Sequence, residues 1–488
     1  MPSPTSSSSR RSPPDSAPDG LRREALHAFS RRVRGDYEAC LKQLVEVPTV
    51  SSEPGHRPDI EKGVALAAAM IRRVGGQAQV LPTRGSPVLH GVFDTGQGLP
   101  TVTVYNHLDV QPASRQTEPW ETDPFVFVPR GDRYFGRGTT DDKGPALAAL
   151  FGMLAAREAG VPINVRFLWE FEEEIGSPHF EEAVARNTPA LATDAVVVPD
   201  TVWVSRRRPA IPSGLRGLLA LRFTLKTGEW DTHSGEAGGA ARNPIGELMQ
   251  LMCGIHDPRT GRVKLPGFYD DIVKPTSAEI DDFRRCGFSL PGFKKDLHLR
   301  SLRTEDRLEV MKRIWTLPTF EIHGVRGGYP GPGLKTIIPG QAEVKVTCRL
   351  VPGQKPRKIA ALVKAFVRRR RPDVRVQVQM SLPAYRGVVG GPLASALRRS
   401  IRFAFGREPA YVRSGGGIGA VIPMKEVLRC PVLFLGLSLP EHGYHAPNEN
   451  FDWGQASGGM AAFARLFHEV SILPRSAPAR ATRARPRR

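Results

Sequence analysis

PTVTVYNHLDV (100–110) is an apolar run that turns polar at its end, and the chain beyond it repeats the same plan. GPALAALFGMLAAREAG (144–160) has a helical pattern. INVRFLWEF (163–171) is a second apolar run, a helical stretch lies around 179–186, and TDAVVVPD (193–200) is a third apolar run ending in acid. Apolar strands separated by helices of this length indicate an α/β fold, with a mostly parallel sheet and helices on both faces. Toward the N-terminus, residues 25–48 and 59–75 read as amphipathic helices and QAQVL (77–81) as a strand. Toward the C-terminus the pattern resumes with a helix near 392–405, the strand PVLFLGL (431–437) and a closing helix at 455–470.

Between these halves the periodicity changes. From about Gly214, LLALRFTLKTG, PTFEIHGV and QAEVKVTCRLVP alternate apolar and polar residues with period two, as half-exposed antiparallel strands do. Helical stretches near 242–255 and 357–370 sit among them. A domain inserted within another is the simplest account. The expected divisions are a disordered leader (1–24), a first catalytic part (25–213), an inserted α+β lid or dimerisation domain (214–382), a second catalytic part (383–474) and a basic disordered tail (475–488).

The formal charge is +20. Taking away the tail, with six arginines and no acid, and the leader, with four arginines against three acids, leaves +13 on residues 25–474. The internal runs Arg206–Arg208 and Arg368–Arg371 lack interleaved aromatics, so a solvated basic face is favoured over a nucleic-acid groove. No apolar run approaches the roughly 20 residues of a membrane helix, and the N-terminal arginines precede no apolar stretch of a secretory signal. Five cysteines without paired spacing argue against a disulfide framework and fit a reducing, cytoplasmic location.

In an open parallel sheet, ligands bind beyond the carboxyl ends of the strands. After TVTVY come His107 and Asp109; after INVRFLWEF come Glu172, Glu173 and Glu174; after AVVVP comes Asp200; after PVLFLGL comes a loop holding Glu441, His442 and His445. Asp141 and Asp142 open the helix beginning at Lys143. Singly, each has a plainer role: a loop pair, an N-cap, a solvated face. Jointly they converge on one sheet edge. Carboxylates and imidazoles without thiolates make a site for Zn²⁺, Mn²⁺ or Co²⁺, and this many can hold two cations bridged by a carboxylate. Asp109, two residues from His107, can orient that imidazole. Glu173 and Glu174 diverge, so one can bind metal while the other serves as general base.

NHLDVQPA (106–113), FGRGTTDDKGP (135–145), EFEEEIGS (170–177), DTHSGEAGG (231–239), CRLVP (348–352) and GYHAPNE (443–449) resemble, in number and order, the motifs of the M20 family of metallopeptidases. GRVKLPGFYDD (261–271) and RRRPAIPSGLRG (206–217) resemble its carnosinase-like dipeptidase branch. The resemblance implies that His107, Asp141, Glu174, Asp200 and His445 hold two divalent ions, zinc foremost, with Asp141 bridging. It implies that Glu173 is the general base acting on a metal-bridging water, and that Asp109 orients His107. His233 matches a histidine that stabilises the oxyanion from the partner subunit of a homodimer. Arg349 matches a lid residue that holds the substrate carboxylate, and the Asp141–Asp142 peptide is expected to be cis. The implied activity is hydrolysis of dipeptides or short peptides. An N-acyl amino acid amidohydrolase is the alternative, and a basic nucleic-acid-binding or non-catalytic interaction protein the alternative of another class. Two departures stand out: Asn106 where Gly is commoner, and Gly417 where the branch usually has Ser or Thr.

Overall fold

The computed structural model describes residues 17–474. The expected tail, 475–488, and residues 1–16 of the expected leader lie outside the described residues. The rest of that leader needs correction. Leu21 is fully buried and a helix already begins at Arg23, because Leu21, Leu26 and Phe29 belong to the main apolar core.

A six-stranded sheet organises the larger part of the chain. Its spatial order is Gln77–Leu81, Val88–Phe93, Asn164–Glu170, Thr101–His107, Ala195–Val198 and Val432–Phe434. The last four strands pair parallel, and the first two are antiparallel additions at one edge. The parallel strands are buried on both faces, so they read as continuous apolar runs such as AVVV. Helices Arg23–Val45, Arg57–Arg73, Gly144–Glu158 and Trp453–Ser471 share the core on one face. Phe180–Arg186 and Val421–Leu428 share that on the other.

Helix Gly144–Glu158 lies inside the molecule, and Gly152 lets it approach helix Trp453–Ser471. A Cβ at Gly152 would sit 2.6 Å from Cβ of Phe463 and 2.8 Å from the Met460 carbonyl. The close approach fixes the helix that begins just after Asp141 and Asp142.

A four-stranded antiparallel sheet forms from Glu321–Gly327, Gln341–Leu350, Gly217–Lys226 and Arg375–Leu382, in that order. Alternate residues Leu219, Leu221, Phe223 and Leu225 are buried, as are Val344, Val346 and Cys348 opposite them. They pack on helices Pro244–Ile255 and Pro356–Arg370. Each large apolar side chain so buried contributes about 1.5–3 kcal/mol, so this sheet has a core of its own. Residues 277–315 do not join that core. Helices Ser277–Arg285 and Arg307–Trp315 pack instead with Trp203, Ala410 and Val412. Strand Ala210–Leu215 pairs in parallel with Ala410–Ser414 beside them. Among the described residues, no helix is long and apolar enough to cross a membrane.

Candidate active site

Strand Thr101–His107 runs parallel to Asn164–Glu170 and Ala195–Val198, so their carboxyl ends open on the same side. His107 closes the first strand and is buried. Its Nε2 lies 2.9 Å from Oδ1 of Asp141 and 3.8 Å from Oδ2 of Asp200. Nε2 of His445 lies 2.9 Å from Oδ2 of Asp141 and 3.3 Å from Oε2 of Glu174. Two groups of donor atoms result, His107/Asp141/Asp200 and Asp141/Glu174/His445, each with its atoms within 4.8 Å of one another. Asp141 is common to both.

Asp109 is fully buried behind this pair. It contacts Nδ1 of His107 through its backbone oxygen at 3.0 Å and its side chain at 3.4 Å. Its carboxylate also accepts from Ser51 Oγ at 2.7 Å and from the backbone N–H groups of Glu173 (3.1 Å) and Glu174 (3.0 Å). One carboxylate thus orients both the imidazole and the turn that separates the two glutamates. The Asp141–Asp142 peptide is cis. Asn106, the first departure from the family pattern, donates to Oδ2 of Asp142 at 2.7 Å.

Charge is crowded here. Asp109, Asp141, Asp142, Glu173 and Asp200 are buried or line the cavity, with Glu174 beside them, and two imidazoles face them. Burial raises Glu173 well above the ordinary carboxylate range, with Asp200 and Glu174 adding to the effect. Burial also raises Asp200 to about 6, opposed by His107. Burial works against the charged form of His445, yet its hydrogen bonds to Asp141 and Glu174 carry it up to about 10. More anionic than cationic groups, all oxygen and nitrogen donors, fit divalent cations of borderline hardness.

Three contributors escaped the sequence reading. Glu449 is buried and accepts four hydrogen bonds: from Arg137 Nη1, and from the backbone N–H groups of Gly138, Thr140 and Asp141. It holds the turn that delivers Asp141. The GYHAPNE motif contains it, but only the fold brings it beneath that turn. Tyr444 stacks on His445 and donates its hydroxyl to Asp200. Tyr105 donates to the buried Glu170 at 2.6 Å.

Asp141, Glu173, Asp200 and His445 line one end of a cavity of about 620 Å³. His233 and Arg349 do not line it. His233 is exposed on a short strand paired with Ile337–Ile338, its Nδ1 accepting from Gly235 N at 3.0 Å. Arg349 lies half-buried in the four-stranded sheet. Arg216, which hydrogen-bonds the Gly415 carbonyl, is lowered to about 10 by burial and by the charge of Arg349. Gly417, the second departure, lines the cavity. A Cβ there would meet the Arg216 carbonyl at 2.5 Å and Leu382 Cδ2 at 3.0 Å. Packing of Arg216 and Leu382 thus leaves no room for the hydroxyl-bearing side chain usual in the branch.

The profile of peptidase family M20/M25/M40 matches residues 103–469. Human Beta-Ala-His dipeptidase is 30% identical over 88% of this chain and 88% of its own length. The Cys-Gly metallodipeptidase of Schizosaccharomyces pombe is 27% identical over 92% of this chain and 98% of its own. Human carnosine dipeptidase 1 superposes with a TM-score of 0.80 at 28% identity, covering 94% of this chain and all of its own. An M20 family metallo-carboxypeptidase from Sulfolobus solfataricus gives 0.82 at 27%, covering 89% and 98%.

Proposed function

The chain belongs to peptidase family M20/M25/M40, and from that premise we propose that it is a dinuclear metal-dependent dipeptidase. One observation carries the reading: two clusters of oxygen and nitrogen donors share Asp141 at the end of a cavity that Glu173 also lines. His107, Asp141 and Asp200 would hold one divalent ion, and Asp141, Glu174 and His445 the other; zinc suits these donors, with manganese and cobalt next. Such ions supply Lewis acidity toward water and the scissile carbonyl.

The remaining work falls to the chain. Glu173, which lines the cavity beside the donor cluster, takes a proton from the attacking water and passes it to the leaving amine. Asp109 keeps His107 and the Glu173–Glu174 turn in register. Arg349 holds the substrate carboxylate. The layer built on the four-stranded sheet acts as a lid and pairs with its twin, so that His233 serves the oxyanion of the opposite site. Exposed Trp230 and Leu334, with the exposure of His233 itself, support that pairing. Five unpaired thiols support a reducing, cytosolic setting.

The test is a panel of dipeptides beside N-acetyl amino acids, run on protein reconstituted with Zn²⁺, Mn²⁺ or Co²⁺, with metal content measured. Close to two ions per chain and preferred cleavage of dipeptides are expected. No bound metal overturns the reading, and preferred cleavage of N-acetyl amino acids replaces it with an amidohydrolase. For the shared site, co-expressed His233→Ala and Glu173→Gln chains, each inactive alone, recover up to about half the wild-type activity per mixed dimer. Mixed dimers as inactive as their parents refute it.

A further inference from the structure

The cavity that starts at Glu173, Asp200 and His445 continues into an apolar chamber. Trp203, Phe288, Phe293, Ile314, Trp315 and Leu439 line it. Trp203, Phe288, Trp315 and Leu439 are themselves buried members of one core cluster, against which Phe293 and Ile314 pack. The walls are therefore part of the packed fold. The volume, about 620 Å³, lies within the roughly 300–1,000 Å³ usual for small-molecule sites.

Charges inside it are few beyond the donor cluster. Arg413 is neutralised by Glu279 at 3.1 Å, and Asp296 stands exposed at the end of helix Leu290–Asp296. An anionic side chain entering the chamber would meet only Arg413, already tied to Glu279, and a cationic one only the solvent-exposed Asp296, whereas an apolar one would displace water from aromatic and aliphatic walls.

We propose that this chamber receives a large apolar side chain of the dipeptide, so that the enzyme selects dipeptides containing phenylalanine, leucine or methionine over those of glycine or charged residues. The proposal rests on the dipeptidase reading and adds its substrate class. Continuity with Glu173 and the donor cluster makes the substrate itself the occupant, since the scissile bond and the chamber lie in one space.

The test measures kcat/KM on the metal-loaded enzyme for two series, X-Gly and Gly-X, with X = Gly, Asp, Lys, Leu, Met and Phe. Either apolar series should exceed Gly-Gly by roughly ten- to a hundredfold, the selectivity that burying such a side chain confers. Phe293→Ala and Leu297→Asp should bring that ratio toward one. Leu297 also lines the cavity and is 55% exposed, so its substitution leaves the core intact, and a ratio cancels differences in the amount of folded protein. A wild-type ratio near one, or a ratio unchanged in both variants, overturns the proposal. Tryptophan fluorescence separates this from failure of the dipeptidase reading, because Trp203 and Trp315 line the chamber. Should no dipeptide be cleaved, that reading falls while the chamber is still decided. A saturable change with L-phenylalaninamide, absent with glycinamide and weakened in Phe293→Ala, supports it; no change overturns it.

Discussion

Two buried carboxylate clusters in this molecule meet opposite fates. Glu279, on helix Ser277–Arg285, lies against Arg413 at 3.1 Å and Arg386 at 3.0 Å. Burial opposes its ionisation, but the Thr276 N–H and Arg413 hold it down to about 2. Asp200, at the end of the six-stranded sheet, has no arginine beside it and burial pushes it up to about 6. Burial pushes Glu173 in the same direction. One cluster carries its counter-charge in the sequence; the other leaves it to be supplied from outside. A buried charge without a partner is costly, so the second cluster makes sense as a place for cations and the first as a structural tie.

The largest effect is expected within the acidic turn. Glu173→Gln should retain both metal ions and lose about 10²–10⁴-fold in kcat, the usual worth of a general base. Glu174→Gln should lose metal instead, so metal analysis of the two variants separates them. Equal metal content in both would reverse the assignment.

Next in size is the response to cations. Metal at about a thousand times its Kd should stabilise the fold by about 4 kcal/mol per site, read as a rise in Tm. Chelation should remove both this gain and turnover. Glu279→Gln, by contrast, should cost the same with or without metal.

Glu279→Gln should lose about 2 kcal/mol at pH 7, short of the 3–5 kcal/mol of a fully dry pair, because Arg386 keeps a solvated side. The folded pKa, about 2, lies below the ordinary 4.5. The stabilisation is therefore complete above pH 4.5 and disappears as pH falls toward 2. Denaturant melts of wild type and variant should converge across that window; a constant difference would contradict the pairing.

The smallest effect concerns the cavity wall. Gly417→Ser must push aside the Arg216 carbonyl or Leu382, at a cost of about 1–3 kcal/mol in stability. A Gly417→Ser variant with the denaturant midpoint of wild type would show that the loop yields.

Much of the sheet was legible because its strands are apolar runs of the right length between helices, and His107, Glu173, Glu174 and Asp200 stand at or just beyond their ends. Alternation marked Gly217–Lys226 and Gln341–Leu350 equally well. Strand Ala210–Leu215 was not legible: Pro212 interrupts it, and it is held by the distant Ala410–Ser414. Helices Ser277–Arg285 and Arg307–Trp315 also escaped, being short and lying in polar, proline-bearing sequence.

What the sequence determined by itself was local: strand and helix periods, and the acid and imidazole types at strand ends. These arise from backbone geometry over a few residues. Tertiary structure alone decided that Glu449 would gather four donors beneath the turn of Asp141, and that Gly417 would have no space for a side chain. It also decided that Trp203, Phe288, Trp315 and Leu439 would wall one chamber beside the ionisable cluster. These residues are far apart along the chain, and no local period encodes which of them will meet; packing of the folded core does.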